Sequence, residues 1–292
     1  MTLYLQLLSD GVINGCAIGL VAISFAYFYA STGIFHVAHA GIYTLGGYVA
    51  LYLTGVGLPF PAALLLAVLC CVLVGLIVQA LLYQKLETKG ASPLVMMIAS
   101  IGLLTLLQNI MAILFTPNIL QFDVAWRLKS IVLGSVVLSY PQAMIVVTSL
   151  AIFAAMLAFS RYSGLGKRIR AVASNPELAE ITRLKPKIVF LYVIGISSGI
   201  VAVPGVLIGL DQALQPYNSL LILLTAVIAM IAGGIGSLPG AFLMSILISV
   251  VQSMSVAFVP GRWSIAVVFG FFVVLILLKP EGLFRSRFAR AL

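Results

Sequence analysis

The residues best able to do chemistry in this chain are its two histidines, His36 and His39, in the segment GIFHVAHAGIYTLGGYVAL. Paired histidines are common metal ligands, but no cysteine or carboxylate lies near this pair in the sequence. Polar side chains inside an apolar segment usually face a cavity or another helix, because leaving them without a partner there is costly. The pair therefore favours structural hydrogen bonding beside a helix break, and we expect neither a metal nor another cofactor.

Other patterns that carry chemistry are missing from the sequence. It has no G-x-x-x-x-G-K-[ST] loop to hold the phosphates of ATP, no paired carboxylates and no nucleophile placed beside a base. Its apolar segments also lack the clear Asp or Glu relay that proton-coupled pumps use. We therefore do not expect an enzyme, and the sequence favours either a passive pore or a subunit that a partner drives.

A second unusual stretch, AGGIGSLPGAFL at 232–243, interrupts an apolar run in the other half of the chain. Segments broken by glycine or proline at corresponding positions of two halves indicate a transport pathway and an inverted internal repeat. We therefore expect both broken segments to border a central cavity. The candidate pathway residues are His36, His39, Gly41, Gly233, Gly234, Gly236 and Pro239.

The elements that position these residues must be membrane helices, because the composition is too apolar for a water-soluble protein. Of the 292 residues, 63% are hydrophobic and 8% charged, whereas a soluble domain is about half apolar and a quarter charged. The net charge of +9 does not indicate nucleic-acid binding, because the basic residues are gathered in short loops. We predict an all-α polytopic membrane protein whose single domain covers residues 1–292.

Nine segments are apolar enough to cross a membrane, which requires about 20 residues each. They are 9–30, 35–54, 61–83, 93–115, 138–159, 188–209, 218–233, 239–258 and 262–278, two of them short. Most basic residues lie in loop 84–92, in the central loop and in a tail with Arg285, Arg287 and Arg290. Placing these on the cytoplasmic side puts the N-terminus outside and the C-terminus inside, which nine crossings satisfy. Eight crossings, with a re-entrant or broken helix in 218–258, are the alternative.

Several predicted spans carry small residues at the spacing that lets helix backbones approach closely in lipid. The first span contains Gly11, Gly15 and Gly19, and the span after the central loop contains Gly195, Gly199, Gly205 and Gly209. We expect these glycines to pack helices within the chain, with contacts between subunits as the alternative.

The central loop from Arg161 to Lys187, RYSGLGKRIRAVASNPELAEITRLKPK, carries seven basic residues between two apolar blocks. Asn175 can cap a helix, Pro176 suits its first position, and Glu180 lies near its positive N-terminal end. A helix of about ten residues is marginal alone in water. The loop is therefore expected to dock against a partner.

Four stretches, in this order, resemble the permease subunits of bacterial ABC importers for branched-chain amino acids. They are HVAHAGIYTLGGYVA, GLGKRIRAVASNPELAEI, AGGIGSLPGAF and KPEGLF, and together they touch most of the chain. The resemblance implies an ABC-importer permease fold in the bacterial inner membrane. It also implies a second permease subunit forming a heterodimer, two cytoplasmic ATP-binding subunits and an external, periplasmic substrate-binding protein.

The same resemblance implies that the central loop, 161–187, is the cytoplasmic coupling element that rests in a groove on an ATPase. The residues carried over are Asn175, Pro176, Glu177, Leu178, Ala179, Glu180, Ile181 and Leu184, with Gly166 and Arg170 upstream. The chain departs from the family's pattern at two places. The second segment has HVAHAG where Asn-Phe-Ala-His-Gly-Glu is usual, and Arg183-Leu184 stands where Gly-Ile commonly follows the coupling helix.

The function that this resemblance implies is transport of branched-chain or other small hydrophobic amino acids, powered by partner ATPases. Related importers with the same scaffold carry urea, short amides, aromatic acids or sugars, so the substrate stays open. A self-sufficient secondary carrier or channel is the alternative from a different class. Uptake by the purified chain alone in liposomes would distinguish the two classes.

Overall fold

The computed structural model describes residues 2–134 and 136–284, without the side chains of Leu133 and Glu177, so Arg285, Arg287 and Arg290 lie outside the described residues. Twelve α-helices occupy most of the described chain. They are α1 Thr2–Thr32, α2 His39–Gly55, α3 Phe60–Val78, α4 Gln84–Thr88, α5 Pro93–Phe115, α6 Tyr140–Tyr162, α7 Gly164–Ser174, α8 Pro176–Ile181, α9 Pro186–Asp211, α10 Ser219–Gly233, α11 Leu238–Ser255 and α12 Ser264–Leu278. A π-helical turn, Gln79–Tyr83, joins α3 to α4 without a break in the helix.

Each of the nine predicted segments contains a helix, but the count of nine crossings is not confirmed. Among the described residues, seven helical stretches are long and apolar enough to span a membrane. The other two predicted segments form α2, with 17 residues, and α10, with 15 residues. At 1.5 Å per residue these helices are roughly 26 and 23 Å long, shorter than a hydrocarbon core of about 30 Å.

Helices α1 and α9 form the centre of the molecule, and nearly all of their residues beyond the first turns are buried. The other long helices surround them, and most apolar side chains of α6 and α12 are partly or fully exposed. A soluble protein could not leave such faces in water. Their exposure agrees with a lipid-facing outer layer around a buried pair of helices.

The glycine pattern of the first span packs α1 against α11. A β-carbon at Gly15 would lie 2.5 Å from Ile246 Cα, and one at Gly11 would lie 2.7 Å from Val250 Cα. Ser245 Oγ of α11 also donates a hydrogen bond of 2.9 Å to the Gly15 carbonyl. The prediction that these glycines pack helices within the chain is therefore confirmed.

The loop between α5 and α6 contains a β-hairpin that the all-α prediction lacked. Strand β1, Ser130–Leu133, pairs antiparallel with β2, Val136–Ser139, and Ser130 faces Ser139. The β-branched residues Ile131, Val132, Val136 and Val137, on both sides of Gly134, favour such a pair. The hairpin touches the start of α1, since Val137 N–H donates to Gln6 Oε1 over 3.0 Å and Gln6 Nε2 donates to the Val137 carbonyl.

Arg127, in the same loop, closes the C-terminal end of α9. Its guanidinium donates hydrogen bonds to the carbonyls of Leu210 and Gln212, over 2.5 and 2.9 Å. The last carbonyls of a helix have no partner within the helix, so the arginine satisfies them. At the opposite end of the molecule, Gln84 Nε2 donates to the Lys187 carbonyl over 3.3 Å. The basic loops 84–92 and 161–187 therefore lie at the same end of the molecule. This arrangement agrees with the prediction that both loops are on the cytoplasmic side of the membrane.

Candidate functional site

The central loop folds into two short helices, α7 and α8, rather than the single helix of about ten residues that the sequence predicted. The chain turns sharply from α6 into α7 at Ser163, whose hydroxyl accepts the Gly166 N–H over 2.8 Å. Gly166 must be small, because a β-carbon there would lie 2.5 Å from the Phe159 carbonyl oxygen. Ile169 and Val172 of α7 are buried against the membrane helices. Helix α7 therefore anchors the loop, and α8 projects from it.

Helix α8 begins as predicted. Asn175 Oδ1 accepts the Leu178 N–H over 3.0 Å, and Pro176 occupies the first helical position. An N-cap of this type contributes about 1 kcal/mol. The helix is only six residues long, so the cap and its attachment to neighbouring elements must hold it in place.

The side chains of α8 divide into an anchored and an exposed set. Ala179 is buried and Leu184, just beyond the helix, is half-buried, whereas Leu178 is 59% exposed and Ile181 is 79% exposed. Leu178 and Ile181 are three residues apart and therefore share one helix face. Glu180 is also exposed. The loop thus presents two large apolar side chains and a carboxylate on its outer surface.

The end of α8 requires an unusual backbone conformation at Arg183. The Leu184 N–H donates to the Ala179 carbonyl and the Arg183 N–H donates to the Glu180 carbonyl, which is the Schellman arrangement. This arrangement requires a left-handed residue, and Arg183 has φ of +62°. A side chain in that conformation costs about 1 kcal/mol relative to glycine.

We expect Arg183→Gly to stabilise the end of α8, because glycine adopts a positive φ without the steric cost. Protection of the Leu184 amide against hydrogen exchange should rise by roughly threefold, after part of the gain is offset by the greater freedom of glycine in the open state. Arg183→Val is the matched opposite and should lower protection. Lower protection in the glycine variant would contradict this account.

The first broken segment, residues 33–38, separates α1 from α2. His36 within it and His39, the first residue of α2, are both fully buried. His36 Nδ1 lies 2.6 Å from Tyr83 Oη, and His39 Nε2 lies 2.8 Å from Ser24 Oγ. Ser24 Oγ also donates to the Val21 carbonyl over 2.9 Å. Hydrogen bonding beside a helix break is therefore the arrangement that the structure displays for both histidines.

A side chain that is distant in the sequence also forms a hydrogen bond with the non-helical backbone of this segment. Ser100 Oγ of α5 accepts the Val37 N–H over 3.0 Å. Gly41 lies at the start of α2, where a β-carbon would lie 2.8 Å from Leu107 Cδ1. Backbone without helical hydrogen bonds is tolerated at membrane depth only where protein or a water-filled cavity satisfies it. In this segment a protein side chain, that of Ser100, satisfies the Val37 N–H.

The second broken segment, residues 234–237, separates α10 from α11 at the same end of the molecule as the central loop. Gly234 and Gly236 have φ of +99° and +85°, which few other residues adopt. Gly233 and Gly240 are in backbone contact across the break. The KPEGLF stretch docks here, since the Phe284 N–H donates to the Gly233 carbonyl over 3.1 Å.

A cavity of about 740 Å³ lies between this break, the end of α1, the end of α6 and helix α7. Gly236 and Pro239 line the cavity, whereas His36, His39 and Gly41 are buried elsewhere in the described core. Gly233 and Gly234 are buried beside the break. The structure therefore brings the second broken segment and the central loop to one cavity and leaves the first segment outside it. The pathway role of all these residues stays a prediction.

Five residues that complete these sites were not predicted from the sequence. Tyr83, Ser24 and Ser100 hold the first break, and Tyr27 and Ser160 line the cavity. Each is a single hydroxyl inside an apolar run, and such residues occur throughout the chain. Their partners lie up to 65 residues away in the sequence, so local pattern carried no signal for them.

Comparisons with known proteins agree over nearly the whole chain. The family described as "Branched-chain amino acid transport system / permease component" matches residues 7–277. The high-affinity branched-chain amino acid transport system permease protein BraD of Pseudomonas aeruginosa is 28% identical, over 96% of this chain and 95% of its own. The corresponding protein LivH of Salmonella typhimurium is 26% identical over the same shares. The solved structure of PsaBC from Streptococcus pneumoniae in complex with Fab has a TM-score of 0.53 and 15% identity, over 94% of this chain and 93% of that one.

Proposed function

Because the chain belongs to the family of branched-chain amino acid transport permease components, we propose that it is the membrane permease subunit of an ABC importer. Its substrates are branched-chain or other small hydrophobic amino acids, and its place is the bacterial inner membrane. The observation that carries the proposal is helix α8, which presents exposed apolar side chains on a chain that has no phosphate-binding loop. In this proposal a separate ATPase powers transport, and the exposed side chains of α8 bind that ATPase.

In this proposal, α8 lies in a groove on a cytoplasmic ATPase. The coupling residues are Asn175, Pro176, Glu177, Leu178, Ala179, Glu180, Ile181 and Leu184. Movement of the ATPase reaches the membrane through α6 and α9, because the loop joins the end of one to the start of the other. A helix placed between two membrane spans can thus change their separation when its partner closes on ATP.

We further propose that α2 and α10 cross the membrane with the seven longer helices, giving nine crossings with the N-terminus outside. Short helices beside broken backbone suit this role, because buried neighbours satisfy the non-helical residues. The two broken segments, with His36, His39, Gly41, Gly233, Gly234, Gly236 and Pro239, then border the translocation pathway of two inverted halves. A second permease, forming a heterodimer, supplies the other wall of the pathway, and an external binding protein delivers the substrate.

Reconstitution in liposomes tests this function. The complete set of two permeases, two ATPases and the binding protein should take up labelled leucine only when ATP is supplied on the ATPase side. The purified chain alone should show no uptake above protein-free liposomes, because it has no energy source of its own. Uptake by the chain alone would instead establish a self-sufficient carrier or channel and would overturn the proposal.

A further inference from the structure

The outer face of α5 carries polar side chains at membrane depth. Thr105 and Asn109 are both exposed there, and their spacing of four residues places them on one side of the helix. At 1.5 Å per residue, Thr105 lies about 18 Å from the start of this 23-residue helix, near its middle. The exposed side chains in the middle of α3, α6 and α12 are apolar instead. Polar groups that face lipid are costly, so this face of α5 is suited to water or protein.

A third polar group joins this face from the chain just before α10. Tyr217 is exposed, and its hydroxyl donates to Asn109 Oδ1 over 3.3 Å. Asn109 Nδ2 donates to the Thr105 carbonyl over 2.8 Å, and Thr105 Oγ1 donates to the Ile101 carbonyl over 3.1 Å. A primary amide has two hydrogens to donate, and a hydroxyl oxygen can also accept. Among the described residues, these bonds leave one amide hydrogen of Asn109 and the lone pairs of two hydroxyls for another molecule.

These donors and acceptors match the charged groups of an amino acid. An amide N–H can donate to a carboxylate, and hydroxyl oxygens can accept from an ammonium group. Ile101 and Leu106 are exposed beside Thr105 on the same helix, and they provide apolar surface for a hydrocarbon side chain. A few polar groups placed on apolar surface are typical of small-molecule sites. The face thus combines the two kinds of contact that a hydrophobic amino acid needs.

Helix α5 also lies beside the two helices that adjoin the broken segments. It packs against α2, since a β-carbon at Gly41 would lie 2.8 Å from Leu107 Cδ1. It is bonded to α10, because Gln108 Nε2 donates to Ser219 Oγ over 3.4 Å. Gly41 is itself buried. A molecule that moves past these helices would therefore contact an exposed neighbour, and the polar face of α5 is such a neighbour.

We propose that Asn109, Thr105 and Tyr217 contact the charged groups of the amino acid as it crosses the membrane. Asn109 Nδ2 donates to the carboxylate, and Thr105 Oγ1 and Tyr217 Oη accept from the ammonium group. Ile101 and Leu106 contact the apolar side chain. This inference rests on the proposed transport function and adds the residues that recognise the main-chain groups of its substrates.

Thiol labelling of the complete reconstituted transporter tests whether this face is wet. A membrane-impermeant thiol reagent should label Thr105→Cys above the level of the wild-type chain, which has free cysteines at 16, 70 and 71. Labelling is measured without nucleotide and with ATP, and it should occur in at least one of these two states. Saturating leucine should reduce it, because the substrate covers the same face.

Leu73→Cys is the matched control. Leu73 is exposed near the middle of the helical stretch Phe60–Thr88, on a face whose exposed side chains are apolar. This variant should not be labelled above wild type. Equal labelling of the two variants would overturn the proposal. It would also be overturned if Thr105→Cys formed a disulfide with a cysteine in the second permease and stayed unlabelled in both states, because a helix of that subunit would then cover the face.

Leucine uptake by the same reconstituted transporter tests the contacts. Asn109→Leu should lower the maximal rate by about tenfold, as loss of a hydrogen bond to a charged group implies. Thr105→Val keeps the volume and removes the hydroxyl, and it should lower the rate by roughly threefold to tenfold for the same reason. Leu73→Cys should keep the wild-type rate. The amount of assembled complex, measured in parallel, separates a transport defect from a folding defect.

The wild-type transporter distinguishes failure of this inference from failure of the proposed function. Normal leucine uptake in both the Asn109 and Thr105 variants would overturn the contacts at α5 and leave the transport function standing. Absence of ATP-driven leucine uptake in the wild type would overturn the proposed function and this inference together.

Discussion

Replacing Ile181 by aspartate should abolish ATP-driven uptake while the chain still inserts into the membrane. Ile181 is 79% exposed at the end of α8, so the substitution removes no internal contact that folding needs. If the side chain is buried in an ATPase groove, a carboxylate there would have to lose its hydration without a partner. Truncating a central interface residue commonly costs 2–4 kcal/mol, so we expect uptake to fall by roughly 100-fold or more.

Three companion variants separate loss of docking from loss of folding. Ile181→Leu keeps the apolar volume and should retain most of the uptake. Glu180→Arg, which reverses an exposed charge on the same helix, and deletion of residues 175–184 should each abolish uptake with insertion intact. Leucine uptake in reconstituted liposomes and the amount of membrane-inserted chain are the two measurements. Normal uptake after the deletion would rule out α8 as the coupling element.

The second large effect is expected at the contact between α1 and α11, where Gly15→Leu should prevent stable folding. A β-carbon at residue 15 would lie 2.5 Å from Ile246 Cα, which is backbone and cannot rotate away. The two helices would have to separate along their length and would lose the bond from Ser245 Oγ to the Gly15 carbonyl. Overpacking of this kind costs about 3 kcal/mol or more, a large share of the stability of a typical protein.

Gly102→Leu provides the matched control for this prediction. Gly102 is an exposed glycine within α5, and no atom lies within 4 Å of the β-carbon position there. The same substitution should therefore leave stability unchanged or raise it slightly, since leucine favours helices by about 0.5–1 kcal/mol over glycine. Thermal unfolding of the two purified variants in detergent is the measurement. Equal losses of stability in the two variants would show that the close approach of α1 and α11 is not the reason why residue 15 must be glycine.

The positions of the long helices could be predicted because each depends on a property of its own residues. A run of apolar side chains, ended by loops with charged residues or proline, fixes a span without knowledge of its neighbours. The start of α8 was predictable for the same reason, since Asn175 and Pro176 act on the backbone beside them. Close helix packing by the first span could also be predicted from its own residues, because such packing requires small residues such as glycine at one-turn spacing.

The remaining features depend on residues far apart in the sequence. Helix α2 begins at His39 rather than near residue 35, and Ser100 of α5 holds the non-helical backbone before it. The hairpin 130–139 depends on its contact with Gln6 as well as on its own residues. Helix α7 was missed because its basic residues hid the apolar face that Ile169 and Val172 bury. The cavity could not be foreseen, because it exists only where four elements meet.

The burial of α1 also constrains how the chain can be made. This helix precedes the other described helices in the chain, yet the helix that covers its glycine face is α11, about 230 residues later. At 5–20 residues per second, synthesis of that interval takes roughly 10–50 seconds. During this time α1 sits in the bilayer with Gly11, Gly15 and Gly19 facing lipid or the insertion machinery. Assembly of this contact therefore waits for the synthesis of α11, and nascent chains truncated before α11 leave the glycine face of α1 uncovered.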